Sequence, residues 1–176
     1  MSYIIPTEEI TLTDRKKFVN DAVEAGINRA LKLAIANSRE ELVVREGLPL
    51  VDFALAIARE EWLSAALVVA TMSIYVNTAL NANQVAVFYK VGIEEATPAV
   101  SQVWFQRGAG GRTTLGLFHI ECLYHKLHSD GFLSEPMVYD RNETVFIQLY
   151  PRRTAAGGNR VYLGNLVIEP VGGVVS

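Results

Sequence analysis

From Leu42 onward the chain is cut at fairly regular intervals, with short apolar runs rich in Val, Ile, Phe and Tyr alternating with clusters of Gly, Asn, Asp and Pro. β-Branched and aromatic runs bounded by turn residues are the signature of strands. The predicted strands are Leu42–Arg45, Leu67–Val76, Gln84–Ile93, Val103–Arg107, Thr144–Tyr150 and Arg160–Ile168. Several alternate in polarity or size, as in Val85, Val87, Tyr89 and Val91 against Ala86, Phe88 and Lys90. Gly108-Ala109-Gly110-Gly111 and Ala155-Ala156-Gly157-Gly158-Asn159 supply positive-φ residues for hairpins. Six or more strands of this kind close as a sandwich or barrel.

The segment before this body reads differently. Thr11 and Asp14 have capping-box spacing. Phe18, Ala22, Ile27, Ala30, Leu31 and Ala34 then recur at helical spacing, with Lys16, Lys17, Asp21, Glu24 and Arg29 between them. The pattern predicts a helix over 14–37. Gly26 costs this helix about 1 kcal/mol relative to Ala, so the helix relies on packing against something else. The expected fold is therefore mainly β (α+β): an N-terminal arm and helix over 1–40, then an antiparallel β-sandwich or jelly-roll-like body over 41–176. Two segments fit more than one pattern. Asp52–Glu61 suits a short helix or an irregular strand. Thr114–His128 fits a helical face through Leu115, Phe118, His119, Cys122, Leu123 and Leu127, and a strand through Phe118, Ile120, Cys122 and Tyr124; helix is the favoured reading.

A chain of 176 residues buries roughly 70% of its unfolded surface. With 50% hydrophobic and 20% charged residues and a mean hydropathy of +0.19, intrinsic disorder is excluded. The net charge of −3 is the wrong sign for gripping nucleic acid. Charge is also uneven. Residues 1–61 carry eight basic and eleven acidic side chains, whereas residues 62–176 carry only eight of each. A charge-poor body points to self-association or attachment to a larger assembly, because buried interface cores are depleted of charge. The single Cys122 cannot form an intramolecular disulfide and is compatible with assembly in a reducing cytoplasm. MSYIIPTEEITLTD has no signal-peptide pattern. The longest apolar run, Trp62–Val76, is interrupted by Ser64, Thr71 and Ser73 and is short of the roughly 20 residues a membrane helix needs.

The residues offer no complete catalytic motif. His119, Cys122, His125 and His128 form H-x2-C-x2-H-x2-H, but steps of three fan the side chains over about 180° of a helix and alternate them across a strand. Four-fold convergence on a metal is not expected, and no metal site is assigned. Cys122 lacks an orienting carboxylate for a nucleophilic role. Arg107-Gly-Ala-Gly-Gly-Arg-Thr-Thr114 has glycines but no following Lys, and reads as a hairpin tip rather than a phosphate loop. Asp130, Glu135, Asp140 and Glu143 do not match a calcium loop and read as solvated loop charges. Glu60-Glu61, Glu94-Glu95 and Arg152-Arg153 read as solvent-facing pairs. Of the aromatic residues Trp62, Trp104, Tyr139 and Tyr150, most are expected to be buried.

The phrases LVVREGLPLVDF, QVAVFYKVGI, VWFQRGAGGRTTLGLFHIECLYHKL, DGFLSEPMVYDRNETVFIQLYPR and VYLGNLVIEPVGG span roughly Leu42 to Gly173. In their order they resemble the small virion structural proteins of tailed bacteriophages, which sit on or between major capsid proteins as decoration, cement or minor capsid components. The resemblance is one of pattern and carries no functional residue across. It implies a non-enzymatic, β-rich protein without cofactor, oligomeric, assembled in the host cytoplasm into the virion, with major capsid or other virion proteins as partners and neither nucleic acid nor membrane. Met1–Asp14 and the loop Gly108–Thr113 are the segments expected to reach a neighbour. A small ligand-binding, possibly carbohydrate-binding, β-domain is the alternative.

Overall fold

The computed structural model describes residues 2–55, 61–94, 98–126 and 128–172. Nine strands follow in chain order: β1 (Ile4–Pro6), β2 (Leu42–Arg45), β3 (Ser73–Ala79), β4 (Val85–Ile93), β5 (Val100–Arg107), β6 (Thr113–His119), β7 (Asp130–Tyr139), β8 (Thr144–Pro151) and β9 (Val161–Pro170). Two helices join them, α1 (Leu12–Lys32) and the short α2 (Pro49–Phe53). The strands form two wholly antiparallel sheets, ordered β1-β7-β4-β9-β2 and β3-β8-β5-β6. From β2 to β9 the order 2-9-4-7 faces 3-8-5-6, the interleaved double Greek key of a jelly roll. The expected β-sandwich body is thus present, and the strand order makes it a jelly roll with β1 added at one edge.

The core between the sheets is a chain of aromatic rings. Phe53 packs on Trp62 and Phe88 at centroid distances of 5.5 and 5.2 Å, Phe88 on Phe105 and Tyr139 at 5.6 and 5.7 Å, and Phe105 on Phe118 at 5.8 Å. Large rings at offset or edge-on angles fill a sandwich interior at close to crystal density.

α1 starts where the capping box predicts. The Thr11 hydroxyl accepts from the Asp14 N–H at 3.2 Å and donates to the Asp14 carboxylate at 2.7 Å. It ends at Lys32 rather than 37, because Ala34 turns the chain at φ 53°. Its buried stripe of Ala22, Gly26, Ile27 and Ala30 lies on the outer face of the first sheet, where Ala22 and Ala30 cluster with Val85, Val87 and Ile168. The partner the helix relies on is the body of its own chain. The arm is likewise engaged: Ile4, Ile5 and Pro6 pair with Leu133, Phe132 and Gly131 of β7.

Several sequence expectations change. The described part of Thr114–His128 is not the expected helix but β6 followed by a 3-10 turn at Glu121–Leu123; Leu127 lies outside the described residues. Pairing with β5 selects the period of two, which sends Phe118 and Ile120 into the core and Leu117 and His119 outward. The strand expected over Leu67–Val76 starts only at Ser73, opposite Leu149 of β8. Leu67 makes a single bridge to Ala155, and Val68 and Val69 are exposed. Of Asp52–Glu61, the start belongs to α2 and residues 56–60 lie outside the described residues. β7 went unread because Ser134, Glu135 and Pro136 interrupt its apolar pattern. These residues fall in an irregular stretch between the pairs Phe88↔Met137 and Lys90↔Phe132; Ser134 still bonds Tyr3, just before β1, and Pro136 comes after that contact, where a proline breaks no ladder.

Candidate interaction surface

The two sheets differ in what covers them. α1 lies on the outer face of the first, whereas among the described residues α1 makes no comparable contact with the strands of the second, which α2 touches at β3. That face consists of alternate residues of β3, β8, β5 and β6, placed side by side by register. Ile74, Gln148, Trp104 and Leu117 form one row across all four strands. Tyr150, Gln102 and His119 form the next, and Asn77, Phe146, Gln106 and Thr114 lie on the other side. None of these is Asp, Glu, Lys or Arg. The one charged residue in the four strands, Arg107, turns toward the other sheet, where it donates to the Val138 carbonyl at 3.4 Å and pairs with Glu143 at 3.3 Å.

The face is accessible in its central rows. Ile74 is 54% and Leu117 37% exposed, and Gln102, Trp104, Gln148 and Tyr150 are half-buried. The Trp104 indole N–H donates to the Thr114 hydroxyl at 3.1 Å, which fixes the ring on the sheet, and the Gln102 amide lies 3.4 Å from the His119 ring. At one end the β5–β6 loop folds back over the face. The Gln106 amide donates to the Gly111 carbonyl at 2.9 Å, and a Cβ on Gly111 would lie 2.7 Å from the Phe146 ring. Gly111, at φ 69°, is therefore required for its close approach as well as its conformation. The glycine run is the tip of the β5–β6 hairpin, and its Gly111 end is seated on its own sheet.

The aromatic residues divide between the two environments. Trp62 and Tyr139 are core, whereas Trp104 and Tyr150 stand on the open face.

Charges read as solvated from the sequence are mostly paired. Asp130 bonds Lys90; Asp140 takes both ends of the Arg29 guanidinium, one at 2.6 Å; and Glu143 takes Arg107. Arg160 bridges Glu61 at 3.4 Å and Glu94 at 3.2 Å, while Glu60 and Glu95 lie outside the described residues. The Arg29 guanidinium holds the Asp140 carboxyl below the usual carboxylate range. Arg45 links β2, α2 and β9 by bonding Asp52 at 2.8 Å and Glu169 at 2.8 Å, and Gln84 donates to the same Glu169 at 2.8 Å. Asp52 and Glu169 are buried. This network ties the loop between β2 and α2 to the sheet.

His119, Cys122, His125 and His128 do not come together as ligands. His119 is on the sheet face, Cys122 is exposed on the 3-10 turn, and His125 is exposed in a turn at φ 63°. Among the described residues no three His, Cys, Asp or Glu side chains gather as metal ligands. Although Cys122 is exposed as a residue, partial desolvation of its sulfur pushes the thiol up, the opposite of what an activated nucleophile needs. A surface cleft of about 560 Å³ contains His128, Glu94 and Tyr162, but its Lys90 and Asp130 are already paired with each other. No helix among the described residues is long and apolar enough to cross a membrane.

No family model matches the chain, and no curated protein matches it. Among solved structures, a chain from the work described as "Bacillus endospore appendages form a novel family of disulfide-linked pili" aligns over 77% of this chain and 92% of that one, at 12% identity and a TM-score of 0.37. At that level the likeness carries no weight for fold or role, and the jelly-roll assignment rests on the strand order of this chain alone.

Proposed function

We propose that the protein is a non-enzymatic structural component of a virus particle, a capsid cement, decoration or minor capsid protein that binds across neighbouring shell subunits. The observation that carries this reading is the asymmetry of the sandwich. One outer face is closed by the chain's own helix and the other is an uncharged sheet with Ile74, Trp104 and Leu117 accessible. A face free of charge loses little by desolvation, and depletion of charge is what interface cores share. The pattern resemblance over Leu42–Gly173 supplies the kind of assembly, with major capsid or other virion proteins as partners and the virion, assembled in the host cytoplasm, as the location. Such a protein works by linkage: binding the assembled lattice better than free subunits shifts the equilibrium toward the shell. Engaging two or three subunits at once makes each further weak contact effectively intramolecular.

The test is to add the full-length chain back to particles stripped of it. Co-sedimentation with a raised melting temperature of the particle is the expected result. A chain that neither sediments with particles nor changes their melting overturns the reading.

A second reading follows from the placement of Trp104 and Tyr150. Aromatic rings flanked by the Gln102 and Gln148 amides on an uncharged, open sheet also suit a neutral carbohydrate, whose ring stacks on the aromatics while its hydroxyls meet the amides. Concentration-dependent quenching of Trp104 fluorescence by a neutral polysaccharide would favour it.

A further inference from the structure

We infer that the uncharged outer face of the β3-β8-β5-β6 sheet is a self-association surface, taking the same face of a second copy of this chain across a two-fold axis. The inference rests on that face being built for burial and not on the identity of any particle.

The occupant follows from charge and hydrogen-bonding symmetry. In a two-fold contact every group near the axis meets its own copy, so any Lys, Arg, Asp or Glu there faces a like charge, at a cost of several kcal/mol. The α1 surface carries Lys16, Lys17, Asp21 and Glu24, and one end of the sandwich carries Glu61, Glu94 and Arg160. The sheet face carries none. Its polar groups, moreover, are of the self-complementary kind. The Gln102 and Gln148 amides and the Tyr150 and Thr114 hydroxyls each both donate and accept, so each can bond to its own image, which an ammonium or a carboxylate cannot. Trp104 stands in the middle row between Gln148 and Leu117, with its indole N–H already satisfied by Thr114. The ring can therefore be covered without orphaning a donor, the situation of a central aromatic anchor.

Size sets the strength. Four strands about 4.8 Å apart and some seven residues long at about 3.4 Å each give a footprint of roughly 450 Å². This is well below the ~800 Å² per partner of a standard interface. The association expected is therefore weak and transient.

The experiment is sedimentation velocity of the full chain from micromolar to millimolar concentration, with acrylamide quenching of tryptophan followed in parallel. Trp62 is only 5% exposed and contributes little to quenching, so the signal follows Trp104. The wild-type chain is expected to dimerise as its quenching falls. The Gln102→Lys/Gln148→Lys double variant, checked for an unchanged circular dichroism spectrum and melting temperature, is expected to bind itself at least about 100-fold more weakly, since it sets like charges face to face. If the double variant is destabilised, Leu117→Lys on the exposed edge strand replaces it. A wild-type chain monomeric throughout overturns the inference, even where the chain still binds particles. A dimer that persists unchanged in the charged variants with Trp104 still open to quencher places self-association elsewhere and also overturns it. Protection of Trp104 in the monomer by a neutral polysaccharide assigns the face to a glycan instead.

Discussion

Gly26 shows how one residue fixes the relation between helix and sheet. A Cβ at this position would lie 2.5 Å from Ile168 Cδ1 and 2.9 Å from Val87 Cγ2, so α1 can lie against β4 and β9 only because nothing projects from it here. The cost of a glycine in mid-helix, about 1 kcal/mol, is offset by the apolar contact it permits with Val87 and Ile168. Gly26→Val adds three carbons with no space to hold them. It should destabilise the fold by about 2 kcal/mol or more, within the range seen for overpacked sites, and Gly26→Ala by less, because the nearest atom is the flexible end of Ile168. Urea unfolding of the two variants checks the order. The glycine was legible in the sequence as a weakness in the helix, but its purpose was not, since the atoms it avoids are some 60 and 140 residues away. Asn165 is similar. Fully buried on β9, it accepts from the Gly47 N–H at 3.0 Å and donates to the Leu163 carbonyl at 2.9 Å, a pairing that no local pattern announces.

At the scale of elements, local signals succeeded where they were complete within a few residues. β2 has the predicted bounds Leu42–Arg45, and β4, β8 and β9 differ by no more than two residues at either end, because each combines an apolar run with a flanking turn. β6 and β7 were missed or misassigned because their strand character depends on a partner. Phe118 and Ile120 match a helix face as well as a strand face until β5 decides between them. The joints between elements are charged. Arg29 of α1 reaches across to Asp140, just past β7, and bonds its two carboxylate oxygens through Nε and Nη2. Because Arg29 lowers the Asp140 pKa in the folded state, this contribution is complete at neutral pH and is lost as the pH falls below the ordinary carboxylate range. Melting temperatures of the wild-type chain and Asp140→Asn should therefore differ at neutral pH and converge as the pH is taken down through and below the ordinary carboxylate range. A gap that stays constant across that range would show that Asp140 does not act through its charge.

For the whole molecule, composition already held the main clue. Charge thins out after residue 61, and the structure concentrates that thinning on one outer sheet face rather than spreading it over the surface. Which face would be bare could not be read from the chain, because it depends on α1 covering the other sheet and on four strands distant in sequence aligning Ile74, Gln148, Trp104 and Leu117 into one row. Nor could the seating of the arm, since β1 gains its place only once β7 exists. A sandwich that shields one face with its own helix and leaves the other uncharged is suited to burial in an assembly, and that is the central claim. Its most direct test is quantitative mass spectrometry of density-purified particles from cultures that produce this chain. The account predicts the chain in the particle band in many copies, in fixed ratio to the major shell protein, and retained through gradient re-banding. A chain found only in the soluble fraction and absent from re-banded particles would contradict it.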